Sequence, residues 1–321
     1  MNKFARILTV SVASVVMTAI SAAAGLPGWA YPVVVPGGPT APDDGSAQHV
    51  PNSTVALTRK EISAIAGEVP DWHPDEHPAM PVIVAKSREP QAFACGYCHL
   101  PTGAGRPENT SLAGLTAAYI KQQMIAFRNG DRPGSEPKRV PQTLMIAVAK
   151  AVTDAEIEAA AAYFASLKPV SFVKVVESAT VPKTIVAGWM LTKAPGGCTE
   201  PIGNRIIEMP EDFERAENRD SRTPYLAYVP VGSLRQGAEL VATGIGGKTQ
   251  QCAICHGPEL KGLADVPRLA GRSPSYLMRQ LYDLRNGTRT GGASVLMKPV
   301  VANLTDEDMV AIVAYLASRE P

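Results

Sequence analysis

Two stretches of this 321-residue chain carry chemistry in their spacing: Cys95-Gly96-Tyr97-Cys98-His99 and Cys252-Ala253-Ile254-Cys255-His256. In C-x-x-C-H the two thiols can add across the two vinyl groups of a haem, and the adjoining imidazole is then placed to bind the iron from one face. Each stretch therefore predicts one covalent haem c, two in all. The same residues could instead supply half of a zinc site or a redox-active dithiol. Zinc needs four ligands, however, and a dithiol needs no histidine directly after it.

A haem iron has two axial positions, and His99 and His256 each fill one. Met145 and Met297 are the candidates for the other, standing 46 and 41 residues after their histidines and each eight before a helix-starting threonine. A thioether there favours ferrous iron and raises the reduction potential, and a closed sixth position suppresses ligand chemistry, which leaves electron transfer. The competing reading is that both methionines fill cores, as Met124 is expected to do inside its helix pattern. No catalytic residue is predicted.

The elements that must hold these residues occur twice. Laid stretch on stretch at an offset of 157, Leu112-Ala113-Gly114 falls on Leu269-Ala270-Gly271, Tyr119 on Tyr276, Gln123 on Gln280, and Arg128-Asn129-Gly130 on Arg285-Asn286-Gly287. Arg132 falls on Arg289, and beyond that loop the offset becomes 152, matching Met145 to Met297 and Thr153-Asp154 to Thr305-Asp306. Such a repeat means two copies of one module. The spacing predicts a helix over Ala117 to Asn129 and another opening at Thr153 and running to about Leu167.

Through these motifs the chain resembles class I cytochromes c, specifically the diheme, c4-like group of two fused modules, over about Phe93 to Leu167 and Gly237 to the C-terminus. The resemblance implies a mainly α fold, with a small helical domain around each haem, and a periplasmic electron carrier with redox-protein partners. Expected boundaries are a first cytochrome c domain at 85–168, a small β-containing connector at 169–232 and a second domain at 233–321. The N-terminal arm, the connector and the lone Cys198 depart from the family pattern. Cys198 could pair between chains, bind a haem or serve structure alone.

Lys3 and Arg6, the apolar run Ile7 to Ile20 and small residues around Ser21 to Ala24 have the order of a secretory signal peptide, with cleavage at 24 or as late as 30. An uncleaved anchor is the alternative, with weak membrane association if the segment is retained. From 25 to 84 an N-terminal arm is expected, extended or mobile as far as Pro51, with a capping box at Thr58 and Glu61 opening a helix to about Gly67. Pro74 and Pro78 argue against a helical metal site at His73 and His77, which read as a loop on the first haem domain. In the connector, Ser171 to Glu177 and Thr184 to Trp189 are expected to pair as a hairpin, with Asp212 to Asp220 at the surface.

The formal net charge of +1 becomes −1 once Lys3 and Arg6 are removed, so global charge favours no partner, and no nucleic acid is expected. Locally the sequence is more informative. Seven basic residues (Arg106, Lys121, Arg128, Arg132, Lys138, Arg139, Lys150) against three acidic ones follow His99, and seven (Lys261, Arg268, Arg272, Arg279, Arg285, Arg289, Lys298) against three follow His256. They suggest a basic rim that steers an acidic partner, with one or two per haem set aside for propionates. The leading function is a shuttle between a dehydrogenase or membrane complex and a terminal oxidase or reductase. The alternatives are a diheme enzyme, either a peroxidase or a thiosulfate-oxidising cytochrome, and a haem subunit of a dehydrogenase complex.

Overall fold

The structure is a computed structural model describing residues 25–34, 43–90 and 92–321. The expected signal peptide, residues 1–24, lies outside the described residues. Ahead of the first haem stretch, β1 (Ala47–Gln48) pairs antiparallel with β2 (Leu57–Thr58), and α1 (Arg59–Ser63) follows. The expected capping box forms: Glu61 N donates to Thr58 Oγ1 at 3.3 Å and Thr58 N donates to Glu61 Oε2 at 2.7 Å. The helix stops at Ser63, short of Gly67. A single turn, α2 (Val82–Ala85), then leads into the first module.

That module consists of α3 (Cys95–His99), α4 (Ala117–Asn129), α5 (Val140–Ala151) and α6 (Asp154–Ser166). Thr116 caps α4 through Tyr119 N, and Gly130, at φ 82°, supplies the left-handed residue that ends it. Thr153 and Glu156 form a second capping box at the start of α6. Tyr119, Ile120, Ile157, Ala161 and Phe164 are buried in one core between α4 and α6. Met145 lies inside α5.

The connector is a β structure whose pairing differs from the expected hairpin. Its strands are β3 (Val173–Glu177), β4 (Thr180–Pro182), β5 (Thr184–Ala187), β6 (Met190–Lys193), β7 (Thr199–Pro201), β8 (Ile207–Pro210) and, after the short helix α7 (Phe213–Glu217), β9 (Tyr225–Val229). β3 runs parallel to β9, which pairs antiparallel with β8, whereas β5 turns back on β6. Gly188 and Trp189 form that turn with φ of 53° and 67°, the doubly positive geometry that suits a two-residue hairpin loop. The Asp212 to Asp220 stretch is not wholly superficial either. Asn218 and Asp220 are buried because they bind the N-terminal segment: Trp72 Nε1 donates to Asn218 O at 2.6 Å, and His73 Nε2 lies 3.0 Å from Asp220 Oδ1. His77 likewise faces Asp71, at 3.2 Å.

The second module is α8 (Ser233–Thr243), α9 (Ala253–His256), α10 (Pro274–Arg285), α11 (Lys298–Val301) and α12 (Asp306–Ala317), the last opened by a Thr305/Asp308 capping box. Its core is continuous with the connector: Val173, Tyr225, Ala227 and Val229 share one cluster with Leu240, Met278 and Met309. Residues 25–34, expected to be extended or mobile, are seated on the same core. Ala30 and Tyr31 are buried there, Tyr31 Oη donates to Asp283 Oδ1 at 3.0 Å, and Arg279 Nη1 donates to Ala30 O at 2.9 Å.

α8 and α12 cross at Gly237, where an added Cβ would stand 2.0 Å from Ala311 O on the facing backbone. Gly237→Ala must therefore push the helices apart and should cost about 3 kcal/mol, at the upper end for overpacking. A denaturant midpoint unchanged from the parent in equilibrium unfolding would show that the crossing is not this tight.

Candidate haem sites

The two haem stretches are built alike down to single hydrogen bonds. Short helices α3 and α9 end at His99 and His256, and the chain then loops back so that Gly105 N donates to His99 O at 3.0 Å and Gly262 N to His256 O at 2.9 Å. The same loops bring a backbone carbonyl to each imidazole. His99 Nδ1 lies 2.8 Å from Thr110 O, and His256 Nδ1 lies 2.7 Å from Pro267 O. A carbonyl can only accept, so the proton sits on Nδ1 and each ring presents the Nε2 lone pair. Burial pushes both imidazole pKa values down, which keeps the lone pair free.

In the first module one cavity is lined by Cys95, Cys98, His99 and Met145 together, closed by apolar side chains including Leu115, Ile120 and Phe164. Met124, read from the sequence as core filling, lines this cavity too. In the second module His256 is buried, Cys252 and Met297 pack half-buried against the same core, and Cys255 is exposed. Burial pushes the Cys95 thiol up to about 12 and Cys252 up to about 11. A redox-active dithiol is the reverse case, its thiolate stabilised near neutral pH, so the environment disfavours the dithiol reading.

Between the modules lies a feature the sequence did not reveal. Of the fourteen cations from which, less one or two per haem for propionates, an exposed rim was expected, Arg106, Arg132, Arg139, Arg268, Arg272 and Arg279 are buried, and Arg289 is half-buried. Four others are engaged at the surface: Lys121 with Glu158, Arg128 with Asp154, Lys261 with Glu259 and Arg285 with Asp306. The basic rim is therefore overturned: Arg132, Arg268, Arg272, Arg279 and Arg289 point into the seam where the two copies meet, and Arg106 lies against Glu217 of the connector.

The seam follows the repeat. Arg132 donates to Gln123 Oε1 at 2.9 Å and to Gln280 Oε1 at 2.8 Å, while Arg289 donates to Gln280 Oε1 at 2.9 Å and to Gln123 Oε1 at 3.1 Å. Arg268 reaches Ser111 Oγ at 2.9 Å, and Arg272 bonds the Thr110 hydroxyl. The signal for this arrangement was present in the matching Gln and Arg of both copies. What it lacked was direction.

The buried carboxylates here are few: Glu108, Glu208 and Asp283 among the described residues. Nε atoms of Arg139, Arg268, Arg272 and Arg289 are buried without a partner, and burial pushes Arg139 and Arg268 down to about 9. Although burial alone would raise it, the Tyr276 phenol is drawn down to about 7 by Arg272, Arg132 and Arg289. Such a surplus of cationic donors calls for added anions. A haem carries two propionate carboxylates, and Arg132, Arg139 and Arg279 line the first cavity, so the residues present fit the group.

Asp283 is the carboxylate on which the seam relies, accepting from Tyr31 Oη, from Ser135 N at 2.9 Å and from Ser135 Oγ at 2.7 Å. Asp283→Ala should cost roughly 3 kcal/mol, since it orphans buried donors and removes a scarce negative charge. Chemical denaturation of the haem-loaded protein measures this, and a loss below about 1 kcal/mol would remove Asp283 from that role.

The Cytochrome c family model matches residues 90–168 and 235–320, one segment per module. Cytochrome c4 of Azotobacter vinelandii is 27% identical over 237 residues, covering 72% of this chain and 87% of the relative. A thiosulfate dehydrogenase electron acceptor of Thiomonas intermedia is 25% identical over 233 residues, covering 72% and 80%. Among solved structures, a thiosulfate dehydrogenase of Marichromatium purpuratum aligns at TM-score 0.48 and 27% identity over 71% of this chain, which spans only 36% of that one. The chain belongs to the cytochrome c family and is a c4-like diheme protein, two class I cytochrome c modules with two covalently bound haems c.

Proposed function

We propose that the protein is a periplasmic electron carrier that accepts electrons from a dehydrogenase or membrane complex and passes them to an oxidase or reductase. Residues 85–168 and 233–321 act as the two haem domains and 169–232 as the connector. Cys95, Cys98, Cys252 and Cys255 would bind the haems covalently, with His99 and Met145 as the ligands that would hold one iron and His256 and Met297 the other. The observation that carries this reading is the single cavity on which Cys95, Cys98, His99 and Met145 converge. A haem held by imidazole and thioether would supply reversible one-electron chemistry at raised potential. The residues around it exclude water, fix the imidazole tautomer and neutralise the propionates. The name of the Thiomonas relative, an electron acceptor of thiosulfate dehydrogenase, supports a dehydrogenase as donor. Cys198, exposed beyond β6, does not line the cavity, so nothing favours it as a haem ligand over a structural role.

Met145→Ala and Met297→Ala should each open one sixth position, lower that haem's potential and admit carbon monoxide. Met124→Ala should change stability alone. Optical and EPR-monitored redox titration reads all three variants, and an unaltered low-spin spectrum in either of the first two removes that methionine from the ligand set.

Export through a cleaved leader is part of the proposal, and the seating of residues 25–34 limits where cleavage falls. Cutting at 30 would remove Ala30, whose carbonyl accepts from buried Arg279, together with Leu26 and Trp29, which pack on the second core. Intact-mass analysis of the exported protein should place the mature N-terminus no later than Leu26. A mature chain beginning at Tyr31 would refute this.

A further inference from the structure

The two haem stretches match in backbone but not in what covers them. At the offset of 157, Tyr97 corresponds to Ile254 and Arg106 to Leu263. Tyr97 is 4% exposed and Arg106 3%, whereas Ile254 is 64% and Leu263 54% exposed. The second cysteine of each stretch follows suit, with Cys255 exposed and Cys98 half-buried. The difference arises from added chain, because both stretches fold alike.

The connector closes one side of the first stretch. Arg219, held at φ 56°, stacks its guanidinium 3.6 Å over the Tyr97 ring and donates to Tyr97 O at 2.8 Å. Two residues earlier, Glu217 lies 3.7 Å from Arg106, which is itself 2.9 Å from Glu108. The N-terminal segment closes the other side: Tyr97 Oη donates to Ser63 O at 3.1 Å, and Ile65, Val69 and Met80 pack beneath the ring. Gly96 is so tightly covered that a Cβ there would stand 2.8 Å from Val84 O. Among the described residues no comparable cover buries Ile254 or Leu263, both of which stay more than half exposed.

We propose that redox partners dock on the second module alone, over the surface centred on Ile254, Cys255 and Leu263, and that the first haem exchanges electrons only through the second. This rests on the carrier reading above. Electron transfer falls steeply with distance, so a partner must seat where a haem edge approaches the surface, and a thioether at Cys255 ties a macrocycle edge to exposed chain. The partner is a redox protein whose own centre lies beneath an uncharged, apolar face. Charge complementarity says so: Lys261 is 3.6 Å from Glu259 and Lys248 is 2.6 Å from Asp308, so these lysines add no net charge, and a further carboxylate, Asp265, is tied to Thr116 of the first module at 3.1 Å. Apolar contact around a small exposed edge then supplies the affinity, and steering charge contributes little.

The test uses the haem-loaded full chain with a blue-copper protein whose copper lies under a neutral apolar face. Ile254→Lys should lower the bimolecular electron-transfer rate at least tenfold. Val82→Lys, made at an apolar residue 79% exposed beside the first stretch, should leave it unchanged. The parent rate should stay flat as ionic strength rises. Hydrogen exchange, which does not depend on turnover, should show partner-induced protection in peptides spanning 252–263 and none in 95–105. An equal slowing by both variants, or protection at 95–105, overturns the proposal. The optical spectrum separates this from the carrier reading, since lost His/Met signatures in the parent sink that reading whatever the docking data show.

Discussion

Guanidinium groups gathered out of water between two helical modules set the terms for the rest of this molecule. Arg132, Arg139, Arg268, Arg272 and Arg279 are buried with few carboxylates beside them, and burying an unpaired charge is among the most costly things a fold can do. The cations share neutral acceptors across the seam, and the propionates of a haem in the first cavity would add carboxylates beside Arg132, Arg139 and Arg279. Cofactor loading and module docking would then be one electrostatic problem, since the buried Nε atoms of Arg139, Arg268, Arg272 and Arg289 have no partner among the protein groups.

The departures from the plain two-module pattern serve a different end. The connector shares its core with the second module, yet its short helix α7 and the turn after it reach back to the first haem stretch, where Arg219 and Glu217 sit. The N-terminal segment is pinned to that same turn through Trp72 and His73. Two copies of one module, nearly equivalent in backbone hydrogen bonding, are thereby made unequal in access.

Much of this could be read in advance. The haem stretches, the repeat, the capping box at Thr58, the helix starts at Thr153 and Thr305, and the helix ending at Gly130 depend on local spacing, and spacing is what a sequence displays. β3 shows why the rest was hidden: its alternating β-branched residues announced a strand, but its partner β9 lies some fifty residues on, and no local signal marks a parallel pairing. The fourteen cations were countable, but whether an arginine meets solvent or a second module depends on which helix faces dock. Asp220 looked like surface for the same reason, until His73 from 147 residues away is found against it.

The seating of residues 25–34 has a consequence for how the chain is assembled. Tyr31 bonds Arg279 and Asp283 across separations of 248 and 252 residues, so the earliest part of the described chain is completed by nearly the last. A chain made from its N-terminus must hold that segment in waiting while the first module, the connector and most of the second acquire their structure. The Trp29 to Tyr31 turn is then a latch set at the close of folding, and until it engages, the face of α10 carrying Arg279 and Asp283 stays open on one side.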